Sequence, residues 1–144
     1  HQEGHPYIPV EDYPRLSVCS PACHDTSNLR LWWEEGDYDL EQYKGLLGWT
    51  ETPTSLSEEL ARAIVERNLS ANSILCILPL QDYLSLNSEL RCDDPLVERV
   101  NTPGTQSIEN WNWRMAVPLD KLQSHSKFNH DLFEILQIRR NREF

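Results

Sequence analysis

The run Ser73-Ile74-Leu75-Cys76-Ile77-Leu78 limits the chain most. It is apolar from Ile74 onward, short, and free of polar alternation. Such a run predicts a strand buried on both faces, as in a parallel sheet. The residues before it read as a helix. Leu56, Leu60, Ala61, Ile64 and Val65 share one face of Leu56–Arg67, the spacing of an amphipathic helix. Ser55 or Ser57 can cap it. Glu58 and Glu59 in the first turn and Arg67 in the last suit the helix dipole. Further upstream, Leu16–Ser20 reads as a short strand that stops at Pro21. Strand, helix, strand in that order implies a right-handed βαβ crossover. Two parallel strands can neither close a barrel nor cover their own edges. The expected class is therefore α/β, with residues 1–144 forming one partial domain: the last two units of a larger α/β barrel.

The remaining segments fit that reading. Residues 1–15 are proline-rich and acidic, without periodicity, and read as an extended loop. His24 to about Trp33 reads as a loop entering a helix, with Thr26 or Ser27 as its N-cap. Asp37–Leu47 predicts a short amphipathic helix closed by Gly48. Leu80–Leu86, Leu119–Leu122 and Phe128–Arg139 predict further helices. Residues 87–112 form a long irregular stretch, the kind of loop that is functional when it is ordered. The chain does not begin with Met and is expected to start within a longer protein or after processing.

The charge balance excludes some partners. Of 144 residues, 13 are Lys or Arg and 23 are Asp or Glu, a formal charge of −10. Nothing in that balance attracts a phosphate backbone or an anionic membrane. No apolar run approaches the ~20 residues of a membrane span. Four cysteines, at 19, 23, 76 and 92, match no common zinc or redox spacing. They are expected to be reduced thiols of a cytoplasmic protein, with no metal and no cofactor.

Polar side chains cluster where the strands end. His24 and Asp25, with Asn28 and Arg30, follow the first strand; Gln81 and Asp82 follow the second. Enzymes with parallel strands keep their sites at those C-terminal ends. A third cluster runs through Asn101 and Pro103 to Trp111 and Trp113. Carboxylates, amides, arginine and indole are the groups that grip a sugar: polar atoms take its hydroxyls and an indole takes its apolar face. Each group also has an ordinary structural use. Asp25 and Asn28 suit turns, Gln81 and Asp82 suit a helix start, and tryptophans are mostly buried whatever their role.

Four motifs in order carry a resemblance. They are Tyr13-Pro14-Arg15-Leu16-Ser17-Val18 leading into Cys23-His24-Asp25-Thr26-Ser27-Asn28-Leu29-Arg30, then Leu80-Gln81-Asp82-Tyr83-Leu84, then Arg99-Val100-Asn101-Thr102-Pro103-Gly104-Thr105, then Asn110-Trp111-Asn112-Trp113-Arg114. Together they resemble the C-terminal part of the 4-α-glucanotransferases (amylomaltases), family 77 of the glycoside hydrolases. The resemblance implies a (β/α)8 barrel to which this chain supplies the last two βα units, and transfer of an α-1,4-glucan segment between maltooligosaccharides with retention. Retention takes a carboxylate nucleophile and a second carboxyl that acts as acid and then base. In the family both lie upstream of the "HD" motif, outside this sequence. Asp25 maps onto the third acid, the transition-state stabiliser, and His24 onto its sugar-binding neighbour. Asn28, Arg30, Gln81, Asp82, Asn101, Pro103, Trp111 and Trp113 are the expected substrate contacts. The expected partners are the glucan and the rest of the barrel. The chain alone is expected to be inactive and to self-associate. A non-catalytic glucan-binding or interaction module is the alternative. The chain departs from many relatives at Cys19 and Cys23, and its Ser107-Ile108-Glu109 loop is slightly longer.

Overall fold

The structure, a computed structural model, describes residues 7–36, 40–50 and 53–142. Two short strands, β1 (Val18–Cys19) and β2 (Leu75–Cys76), pair in parallel, with Val18 opposite Leu75 and Cys19 opposite Cys76. Between them run α1 (Leu29–Glu35), α2 (Leu40–Leu47) and α3 (Glu58–Leu69). After β2 come α4 (Leu80–Leu84), a 3-10 turn at Pro95–Glu98, α5 (Leu119–Ser124) and α6 (Ser126–Arg140). The parallel crossover is thus present, although both strands are shorter than their apolar runs.

α3 is the centre of packing. Ser57 Oγ accepts from Leu60 N at 3.2 Å and caps it, which stabilises by about 1 kcal/mol. Leu60, Ala61, Ile64, Val65 and Leu69 are buried along its inner face. Burial of each larger side chain contributes roughly 1.5–3 kcal/mol. They pack with Trp33, Leu56, Leu84, Leu90, Phe128 and Ile135 from α1, α4, α6 and the connecting loops. The helix begins two residues later than the periodicity of Leu56–Arg67 suggests, because Leu56 enters the same core from ahead of the cap. α1 is capped by Asn28, whose Oδ1 accepts from Leu31 N at 3.0 Å, and not by Thr26 or Ser27. Gly48 follows α2 at φ 71°, a backbone angle that glycine tolerates; the expected acidic start of that helix at 37–39 lies outside the described residues.

The expectation of a strand buried on both faces is corrected. Ser73 and Leu78 are buried, but Leu75 and Ile77 are 53% and 57% exposed. Val18, opposite Leu75, is exposed with them, as are Leu16, Ile74 and Leu80. The two-stranded sheet rests one side on the helices, and among the described residues nothing covers the other. An unalternating apolar run therefore behaves here as a half-buried strand with a bare apolar face.

Candidate functional site

The C-terminal ends of β1 and β2 open into one cleft of about 140 Å³. Ala22, Cys23, His24, Thr26 and Asn28 line it from the loop after β1. Pro79 and Gln81 line it from the start of α4, and Glu98, Arg99 and Val100 from the long loop. The polar loop after β1 is held locally. Cys23 N donates to Thr26 Oγ1 at 2.9 Å, and Thr26 N donates to Cys23 O at 3.2 Å. This tight turn lifts His24 and Asp25 to the lip, each about half-exposed and 3.3 Å apart between Nε2 and Oδ2.

Across the cleft, Asn101 Nδ2 donates to Asp25 Oδ1 at 2.6 Å. Arg99 ties the two loops together beneath that contact. Its Nε donates to Asn101 O at 3.1 Å and its Nη1 to Ser27 Oγ at 3.1 Å. Ser27 Oγ in turn donates to Glu35 Oε2 at 2.7 Å, and Arg99 lies 3.7 Å from the same carboxylate. The Thr102-Pro103-Gly104-Thr105 turn closes with Thr105 N donating to Thr102 O, Gly104 taking φ 78°. Trp111 also takes a positive φ, 63°, and its N donates to Val100 O at 2.7 Å. A bulky residue in that region marks a constrained position. The constraint leaves the indole 65% exposed, 4.8 Å from the His24 ring.

Six of the sequence-derived residues therefore meet around one opening. His24, Asp25, Asn101 and Trp111 contact one another in pairs, and Asn28 and Gln81 line the cleft. Asn28 is committed to structure there, with Oδ1 on Leu31 N and Nδ2 on Pro95 O. Gln81 Nε2 donates to Glu98 O. Pro103 is exposed at the loop tip.

The other three lie elsewhere. Arg30 turns inward: its Nη1 donates to Cys92 O at 2.7 Å and faces Glu98 Oε2 at 3.4 Å, and its Nη2 donates to Asp93 O at 3.0 Å. The Arg30 and Glu98 side chains are 6% and 1% exposed. Asp82 is fully buried. Its Oδ1 accepts from Leu29 N at 2.9 Å, while Oδ2 has no protein partner. Burial pushes its carboxyl up to about 6 against the help of that N–H, and the Glu98 carboxylate nearby adds to the rise. Trp113 packs against the core, half-buried. The motifs thus mix groups at the lip with groups that hold the lip. Sequence reading placed Arg99 at the head of the third motif without assigning it a role, and it passed over Glu98, which gives no sequence signal.

Burial also raises the Glu98 carboxyl, opposed by the Cys92 N–H and by Arg30. The segment 92–98 is stitched to α1 and α4 by this pair, by Asn28 to Pro95, and by Gln81 to Glu98. A long loop becomes a rigid wall of the cleft.

A family model described as 4-alpha-glucanotransferase matches residues 1–120 of the chain. The chain belongs to the 4-alpha-glucanotransferase family. A 4-alpha-glucanotransferase of Chlamydia muridarum is 40% identical over 123 residues, covering 85% of this chain and 23% of the relative. One of Oryza sativa subsp. japonica is 38% identical over 112 residues, 76% of this chain and 12% of the relative. The chain thus spans a quarter or less of the length of these relatives. Among solved structures, the amylomaltase from Streptococcus agalactiae in complex with acarbose shares the fold, with a TM-score of 0.65 at 21% identity, over 94% of this chain and 24% of that one. Among the described residues, no helix is long and apolar enough to cross a membrane.

Proposed function

We propose that this chain supplies the last two βα units of a (β/α)8 barrel, and with them one wall of the active site of a cytoplasmic enzyme. That enzyme transfers α-1,4-glucan segments between maltooligosaccharides with retention at the anomeric carbon. Asp25 is the stabilising carboxylate. It strengthens its hold on the donor sugar as oxocarbenium character develops, which lowers the barrier only because the grip is tighter in the transition state than before it. His24 binds a neighbouring hydroxyl, and Asn101 fixes the free rotation of the Asp25 carboxylate. The nucleophile and the acid/base carboxyl that retention requires come from the rest of the barrel, which also covers the bare apolar face of β1 and β2. The isolated chain is inactive on this reading, because a stabiliser without nucleophile or proton donor leaves most of the barrier in place.

The observation that carries this reading is the 2.6 Å hydrogen bond between Asp25 and Asn101, two motif residues brought together over a cleft at the strand ends. The test is disproportionation of maltotriose by the full-length protein, followed as the ladder of longer and shorter glucans. Asp25→Asn should lower turnover by about a hundredfold or more, the scale of losing one preorganised electrostatic contact, with thermal stability unchanged. Near-normal turnover in that variant refutes the role of Asp25.

The exposed indole of Trp111 beside His24 favours a second reading, in which the chain by itself binds glucan without turning it over. Calorimetry with maltoheptaose should then give binding that Trp111→Ala abolishes; no heat from the unmodified chain rules the reading out.

A further inference from the structure

Outside the cleft, two thiols face each other across the sheet. Cys19 and Cys76 are registered partners on β1 and β2. Neighbouring strands lie about 4.8 Å apart, inside the ~4.4–6.8 Å over which two Cα atoms accept a disulfide. Registered partners in a parallel pair project to the same side of the sheet, and here both thiols converge on Asn68. Cys19 Sγ donates to Asn68 Oδ1 at 3.4 Å and Cys76 Sγ to Asn68 O at 3.3 Å. Both are free thiols, Cys19 buried beside Val10 and Ala71 and Cys76 half-exposed next to it.

We propose that Cys19 and Cys76 are a dithiol site that a peroxide oxidises to a disulfide, stapling β1 to β2 directly behind the lip that carries His24 and Asp25.

The electrostatics divide the labour. A hydrogen bond from Cys76, with the positive charges of Arg139 and Arg67, draws the Cys19 thiol down to about 7 against the effect of burial. The same hydrogen bond, with burial and the Cys19 charge, pushes Cys76 up, only Arg139 opposing. Tyr13 also faces Cys19 and is itself raised, chiefly by burial. Cys19 is therefore the easier of the two to deprotonate, and the thiolate is the form in which a thiol reacts.

The Cys19 thiolate attacks one oxygen of hydrogen peroxide. The O–O bond breaks, the leaving hydroxide takes a proton and departs as water, and Cys19 becomes a sulfenic acid. The Cys76 sulfur then attacks the Cys19 sulfur and the S–O bond breaks. The second hydroxide leaves with the Cys76 proton as water. Two thiols lose two electrons, and one peroxide is reduced to two waters. Peroxide is small enough to reach the buried sulfur past the half-exposed Cys76. Cys23 and Cys92 have no such arrangement: Cys23 is exposed at the cleft, and burial raises Cys92 beside Glu98.

The proposal is independent of the glucanotransferase reading, and so is its test. Cys19 and Cys23 fall between Arg15 and Arg30 and share one tryptic peptide, so the mapping uses the full-length protein both unaltered and as a Cys23→Ser variant. Each is treated with hydrogen peroxide, free thiols are blocked with iodoacetamide, and the digest is read by mass spectrometry. The expected product is a link between the Cys19 and Cys76 peptides within one chain, two hydrogens lighter than the reduced pair and reversed by dithiothreitol. A Cys76→Ser variant should instead carry a sulfenic acid on Cys19 that dimedone traps. The proposal is overturned if both sulfurs remain open to iodoacetamide. It is overturned equally if Cys19 proceeds to sulfinic acid unlinked in the chain that retains Cys76, or if the links found join Cys19 to Cys23 or one chain to another.

Discussion

Replacing Asp82 with Asn tests how the lip is held, because it removes a buried charge and keeps the acceptor. Asp82 Oδ1 accepts the Leu29 N–H at 2.9 Å, and Oδ2 is buried without a partner. Its carboxyl is raised from 3.8 to about 6, mainly by burial. At ~1.4 kcal/mol for each pH unit separating the folded and unfolded values, ionised Asp82 costs about 3 kcal/mol of stability. The folded state holds this proton more tightly than the unfolded chain. The cost is therefore absent below about pH 4, grows as pH rises, and is complete above about pH 6. Asparagine keeps the Oδ1 acceptor and removes the charge, and its N–H stands where protonated Asp82 holds an equally unpartnered O–H. Asp82→Asn should then be up to about 3 kcal/mol more stable than the unaltered protein at pH 7 and close to it in stability at pH 4. Asp82→Ala, which orphans Leu29 N and leaves a cavity, should lack that gain. The assay is urea unfolding across pH 4–8. Repeating the comparison in a Glu98→Gln background separates the contribution of Glu98, which is also raised and whose charge adds to the rise at Asp82. A difference between Asp82→Asn and the unaltered protein that does not change with pH would refute the reasoning.

Arg30→Ala should destabilise by about 3–5 kcal/mol, because it leaves the Glu98 carboxylate buried without its countercharge; adding Glu98→Gln should recover part of the loss, as read by urea unfolding. Arg99→Lys keeps the charge but loses the fork that joins Asn101 O to Ser27 Oγ. In the full-length protein its turnover of maltotriose should fall by up to about a hundredfold with little change in KM, and free guanidinium should partly rescue Arg99→Ala; unchanged turnover would leave Arg99 without a positioning role. The isolated chain should self-associate through Leu16, Val18, Leu75 and Ile77, all exposed on or beside the sheet. Sedimentation velocity giving a single monomeric species at micromolar concentration would contradict that.

Local rules reached far in this chain. Helix spacing and a capping serine located α3 to within two residues, because its apolar stripe and its cap are consecutive facts. The parallel pairing of the two short strands was legible from a strand–helix–strand order. So was the gathering of His24, Asp25 and Asn101, since four ordered motifs constrain a family more tightly than any one side chain does. What a sequence motif does not separate is a group that touches ligand from one that holds another group in place. Asp25 and Asp82 both follow a strand and both are carboxylates, yet one stands half-exposed at the lip and the other is sealed under Leu29.

Only the tertiary structure decided those fates, because burial depends on which distant elements pack above a residue. Arg30 is turned inward by Glu98, a residue 68 positions away that carries no signal of its own. The apolar run Ile74–Leu78 fixed the presence of a strand, since adjacent β-prone residues settle local conformation. It could not fix whether both faces are covered. That depends on what lies against them, and in the described residues one face of the run that set the fold is bare.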